Sequence, residues 1–240
     1  MSASSRFIPF DEIASSQRIF SPQSYLDVRQ RPVFPLAHVE AAPMARVFPI
    51  VWQMENERLR LVVVRSFMRD PLAMAPERLL SRPGELPLIA RAHPLVLRPT
   101  PSGEDAVFFD TDFADQPTDA GAPISTPDAR LGAGTEQRLR ALTLFAQEEA
   151  RTAAMTADLV THGCLMDWAL PFPETVRERL IAMPLMVLRG DLAPSLLREL
   201  ALRHAHPLVS LLGAHRLSLF RTAPLIKQAE QDLSAERVEA

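Results

Sequence analysis

Apolar positions recur at spacings of three, four and seven between Thr135 and His162, through Leu139, Leu142, Phe145, Ala146, Ala153, Leu159 and Val160. Thr135 can cap the start and Gly163 supplies a left-handed residue past the end, so the pattern predicts a helix over about 135–162. Residues 48–54 and 59–67 are rich in Val, Ile and aromatics, and the polar Glu55-Asn56-Glu57 between them predicts a β-hairpin. Residues 87–97 read as a short helix ending before Pro94 and then a strand. Further strands are expected over 106–109, 165–170 and 183–188, a helical turn over 174–180, and a helix over 194–203 with Leu196, Leu197 and Leu200 on one face. Pro207 should end or restart that helix, and 208–220 then reads as a last buried helix.

Between these elements the pattern dissolves. Residues 110–134 collect Asp, Pro, Gly, Thr and Ser, which predicts a mobile surface loop. Residues 1–45 carry scattered prolines without a period, and 228–240 read as an acidic, frayed tail. The fold class expected is α+β: a mixed, mainly antiparallel sheet of short strands, one long helix and C-terminal helices, with a proline-rich N-terminal arm. The organisation expected is an arm over 1–31, a single α+β domain over 32–226 and a flexible tail over 227–240.

Composition narrows the function classes. Twenty-two prolines against 8 glycines favour many short elements and leave too few glycines for a phosphate cradle. A net charge of −3 gives no basic footprint, which argues against nucleic acid. No apolar stretch approaches the about 20 residues needed to cross a bilayer. One cysteine, Cys164, rules out an intramolecular disulfide. The single thiol, together with a start lacking a basic, then apolar, leader pattern, predicts a cytoplasmic protein.

The chain has no G-x-S-x-G elbow, Walker loop, G-x-G-x-x-G or H-E-x-x-H. Leu131-Gly132-Ala133-Gly134 precedes a helix and offers backbone donors to an anion, against the plainer reading of a flexible loop. His38 and Glu40, two residues apart, have a spacing compatible with two ligands of a metal site, with His206 or its neighbours His204 and His215 as a distal third; a polar turn and a helix C-terminus are the rival readings. Cys164 beside Leu165 and Met166 reads as a buried thiol more readily than as a nucleophile paired with His162. Asp110, Asp112 and Asp115 are oxygen ligands in type, but a solvated acidic loop accounts for them. Trp52 and Trp168 sit in expected strands, where core area competes with a stacking platform.

Several ordered pieces resemble a known family. Pro35-Leu36 with Glu40, followed by Phe48-Pro49-Ile50-Val51-Trp52, is similar to the P-L…E…Y-P-I-V-F signature of SapC-like bacterial proteins. Leu86-Pro87-Leu88-Ile89-Ala90-Arg91-Ala92-His93-Pro94 resembles the family's Y-I-P-A-Y-I-R-R-Y-P-F segment, and Ala214-His215-Arg216-Leu217-Ser218-Leu219 its A-H-L-x-S-L ending. Together the pieces span residues 32–220. Phe48, Ala90 and His93 replace family aromatics, the D-G…L-F-D segment has no counterpart around 122–126, and residues 184–191 keep only a trace of G-F-Y-V-V-D-E. The resemblance implies a bacterial, cytoplasmic accessory protein without assigned catalytic residues or cofactor. Its partner would be a protein, peptide or small metabolite, with a halogenase-like flavoprotein or a component of an outer-membrane receptor system as protein candidates. Trp52, Arg91, His93, Trp168 and His215 are the expected contact residues. A metal-dependent oxygenase or hydrolase using His38, Glu40 and a C-terminal His is the alternative, and a homo-oligomer built on 208–219 a third reading.

Overall fold

The computed structural model describes residues 6–13, 17–55, 57–69, 86–100, 102–111, 120–128, 130–182 and 184–239. Strands are β1 (Phe7–Pro9), β2 (Arg18–Ile19), β3 (Val33–Pro35), β4 (Ile50–Glu55), β5 (Arg58–Val64), β6 (Leu95–Pro99), β7 (Asp105–Asp110), β8 (Ala122–Pro123), β9 (Leu165–Asp167) and β10 (Leu185–Leu188). Helices are α1 (Leu26–Gln30), α2 (Ala41–Met44), α3 (Leu88–Ala92), α4 (Ala133–Thr161), α5 (Pro194–Ser218) and α6 (Thr222–Glu239). Every sheet pairing is antiparallel, and the fold is α+β as the pattern predicts.

The chain divides into two compact units, each assembled from two separated stretches: residues 1–29 with 80–146, and 30–79 with 147–240. In the first unit, β1, β7 and β6 form a three-stranded sheet in that order, and β2 pairs with β8. Phe7–Pro9 and Arg18–Ile19, within the stretch expected as an arm, are therefore laddered into sheets: Phe7 lies opposite Asp110, and Arg6 clamps the Asp110 carboxylate through Nε and Nη2 at 3.0 and 2.8 Å. Arg138 gathers this unit from within, donating to the carbonyls of Phe20, His93 (3.0 Å) and Gly134 (3.0 Å). Gly132 is a spacing requirement, since a Cβ there would lie 2.4 Å from the Pro123 carbonyl oxygen, and its N–H donates to Ile124. Gly132, just before α4, thus serves a close backbone approach.

In the second unit, five strands run in the order β3-β5-β4-β10-β9. The hairpin β4–β5 pairs Ile50 with Val63 through to Glu55 with Arg58. The connection is two residues long, and its second, Glu57, holds a left-handed φ of 64° suited to the twist of a tight hairpin. Leu61, Val62, Val63 and Val64 are all buried, so this end of the sheet is covered on both faces and reads as a continuous apolar run. Val51, Val62, Val64, Phe67, Leu180 and Leu185 form the core with Ala229 and Leu233 of α6. Residues 228–239, which the composition suggests are a frayed tail, are helical because Ala229 and Leu233, four apart, bury one face.

Helix α4 ends as its sequence predicts. Gly163 takes φ 61°, and the N–H groups of Gly163 and Cys164 return to the carbonyls of Val160 (2.9 Å) and Leu159 (2.8 Å), a Schellman closure. Its start differs: the helix begins at Ala133, and the Thr135 hydroxyl donates to the Ile124 carbonyl (2.9 Å) instead of capping the helix. Helix α5 breaks at Ala205, whose φ of 55° and ψ of −148° fall in a region that suits glycine. Pro207 follows within the first turn of the second half, as the sequence expects of a restart. Asn56, Asp112, Asp115 and Met183, on which expectations also fell, lie outside the described residues, as do 112–119 of the expected mobile loop.

Candidate functional site

Helix α5 carries His215 and Ser218, three residues apart and hence on one face, into the second unit's sheet. The β4–β10 register, Leu185 opposite Gln53 and Met186 opposite Trp52, would bring Leu188 opposite Ile50. His215 inserts there. Its Nδ1 donates to the Ile50 carbonyl (2.6 Å), and its Nε2 accepts the Leu188 N–H (3.1 Å), which fixes the neutral tautomer. Ser218 Oγ accepts the Ile50 N–H (2.9 Å) and donates to the His215 carbonyl (2.6 Å). Burial drives the His215 pKa down to about 4, against a smaller upward pull from the Ile50 carbonyl. Trp52 packs beside it, ring centroids 4.9 Å apart, and its indole N–H donates to Thr156 Oγ1 (3.1 Å). Both expected contact residues are thus fully buried with their polar atoms engaged by the fold.

His38 and Glu40 are also buried, on the turn before α2. Glu40 Oε2 accepts the Ala37 N–H (3.0 Å), holding the turn closed. The His38 N–H donates to Thr152 Oγ1 (2.9 Å), whose own proton goes to the Glu148 carbonyl (2.7 Å), so His38 Nδ1, 3.1 Å from Oγ1, is a donor. His38 Nε2 lies 3.7 Å from the Glu148 carboxylate. Burial lowers the His38 pKa, partly offset by Glu148. His206 is exposed. His204 Nε2 contacts Asp158 (2.7 Å), which Arg203 also clamps (2.9 Å); these bonds hold the Asp158 pKa low, Arg203 foremost. Among the described residues, no group of three or more His, Cys, Asp or Glu is placed to hold a metal ion. Cys164 is buried, and burial pushes its thiol pKa up.

In the first unit, His93 is buried against Tyr25, centroids 4.7 Å apart, and Arg91 is exposed on α3. Trp168 is the expected contact residue that reaches an opening. It packs edge-on against Phe67 (5.8 Å) and lines a cleft of about 420 Å³ with Leu170, Phe172, Leu180, Asp167 and Arg177.

A larger surface feature lies elsewhere in the second unit. Ala42, Ala45 and Arg46, at and just past α2, face Val209, Ser210, Gly213, Leu217, Phe220 and Arg221 across a groove of about 690 Å³. Val209, Leu217 and Phe220 are 54, 66 and 82% exposed. Large apolar side chains grouped this way mark interaction sites more often than ordinary surface. Neither the Arg46 nor the Arg221 guanidinium has an ion-pair partner among the described residues, and no carboxylate lines the groove. Sequence reasoning missed this groove although 208–219 was marked as apolar. The signal is a second apolar stripe, Val209, Leu217 and Phe220, beside the Leu208, Leu211, Ala214 stripe that enters the core.

No curated protein and no solved structure matches the chain. The SapC family model matches residues 16–194, which takes in the resembling segments at 35–52 and 86–94 and stops short of the one at 214–219. The match covers most of the chain, and the protein belongs to the SapC family.

Proposed function

We propose that this SapC-family protein is a non-catalytic accessory module of a bacterial cytoplasm that recognises a peptide or protein partner in the groove between α2 and the second half of α5. The observation that carries the reading is the uncovered apolar face along the end of α5 and the turn after it, where Val209, Leu217 and Phe220 stand open to solvent. The non-catalytic character is supported by what the histidines do: both ring nitrogens of His215 serve backbone groups, and His38 is held against Thr152 and Glu148. No helix among the described residues is long and apolar enough to cross a membrane, which agrees with an accessory role in the aqueous phase. The cleft at Trp168, with aromatic walls and one residue of each charge, is where a small-metabolite form of the same function would operate.

The test is a purified-partner experiment. Proteins enriched on the wild type and lost on a Leu217→Ser/Phe220→Ser double variant are purified, and their binding is measured by calorimetry. Saturable binding to the wild type, absent in the double variant, is the expected result. Partners that bind both forms equally would remove the groove from the function.

A further inference from the structure

We infer that the occupant of the α2–α5 groove is an acidic amphipathic helix of another protein, about three turns long, with an apolar stripe flanked by carboxylates. The inference rests on the groove being the recognition surface and adds what it recognises. Three observations lead there.

The open stripe runs from Val209 through Gly213 to Leu217 on one side of α5, at spacings of four, and is continued by Phe220 in the 3-10 turn that follows. Over that distance a helix rises about 16 Å, the length a partner helix of about three turns covers. The floor is shallow in side chains: Ala42, Ala45 and Gly213 all line it, and a Cβ added at Gly213 would find nothing within 4 Å. A partner backbone can therefore come close while its larger side chains fit between Val209, Leu217 and Phe220.

The charges select the partner. Arg46 and Arg221 stand on opposite walls, with no carboxylate between them and no ion pair of their own among the described residues. The chain as a whole carries −3, so this is a local cationic rim on an acidic protein. Carboxylates beside an apolar stripe would meet both arginines while the stripe covers Phe220 and Leu217. A second copy of the chain fits worse, because a two-fold pairing of this face would gather Arg46 and Arg221 from both protomers at one interface. The concave shape likewise suits a rod better than a lipid surface.

The full-length protein is titrated, by fluorescence anisotropy, with a stapled helical peptide of about three turns carrying a Leu stripe and flanking Glu residues, and with the same peptide carrying Lys instead. The Glu peptide is expected to bind about tenfold or more tightly than the Lys peptide, the size of two rim charge pairs, and to weaken with added salt. Arg46→Glu/Arg221→Glu should invert the preference with an unchanged Tm. Gly213→Ala should raise Tm, since alanine is the better helix former and has room, yet weaken the Glu peptide by filling the floor; a purely structural role for Gly213 predicts no such opposition. Equal binding of both peptides, lost in Phe220→Ser, would overturn the acidic partner and leave the recognition surface standing. Failure of the Glu peptide to bind even at millimolar concentration overturns the inference. If light scattering then shows a dimer that Phe220→Ser dissolves, the occupant is a second copy. If the wild type instead sediments with anionic vesicles and Phe220→Ser does not, it is a membrane. If Phe220→Ser changes none of these, the groove reading falls as well.

Discussion

The two faces of the second half of α5 invert the usual rule. Its inner face buries a histidine and a serine, and its outer face shows Val209 and Leu217 to water, a stripe that Phe220 continues just past the helix end. The inner polar groups are tolerated because each has a geometric partner: Ile50 gives up both its N–H and its C=O to Ser218 and His215. The outer apolar groups are left more than half exposed by the described residues. Burial alone therefore does not separate architecture from function here; the better criterion is whether each group's interaction needs are met inside the molecule.

The largest effect should come from His215→Ala, which leaves the Ile50 carbonyl and the Leu188 N–H unpaired beside a new cavity. A loss of about 4 kcal/mol in urea unfolding is expected. Acid should act on the same group. In the unfolded chain the imidazole takes up its proton near the ordinary 6.5, in the fold only near 4, so protonation favours unfolding as pH falls through that window. The wild type should lose about 3 kcal/mol from this source between those values and nothing from it above them, with the loss missing from the pH profile of His215→Gln. A steeper variant profile would contradict the assignment. Next in size is Ala205→Gly at the break of α5, where relief of the φ of 55° should stabilise by about 1 kcal/mol. The smallest effect belongs to the outer face: Phe220→Ser should change unfolding by less than about 0.5 kcal/mol. A larger cost there would mean that the side chain already has a partner inside the chain.

Much of the fold was legible because the signals are local. Gly163 ends α4, Pro207 restarts α5, and the apolar runs on either side of Glu55 and Glu57 pair as the hairpin. The C-terminal helix was not, because Ala229 and Leu233 are two modest apolar residues in an acidic stretch and are helical by virtue of what they pack against. The site was harder still. Periodicity shows that 208–220 is apolar on a helix, but two stripes share that segment, and which one the sheet covers is a tertiary fact. Nor does a sequence distinguish a histidine bridging two strands from one facing a ligand: His215 and Trp52 have the residue types of a binding site and the surroundings of a core. Trp168, in a similar expected strand, comes to line an opening because β9 stops at Asp167.

The pairing of β1 with β7 carries a practical consequence for handling the protein. With Phe7, Ile8 and Pro9 in place, β7 is an inner strand, and Asp110 is covered and clamped by Arg6. A chain trimmed before about residue 10 would turn Phe108, Phe109 and Asp110 into an open strand edge, a template for pairing with a neighbouring molecule. Shortened versions designed to drop the proline-rich start should therefore clump, and an affinity tag is better attached ahead of this strand than in exchange for it.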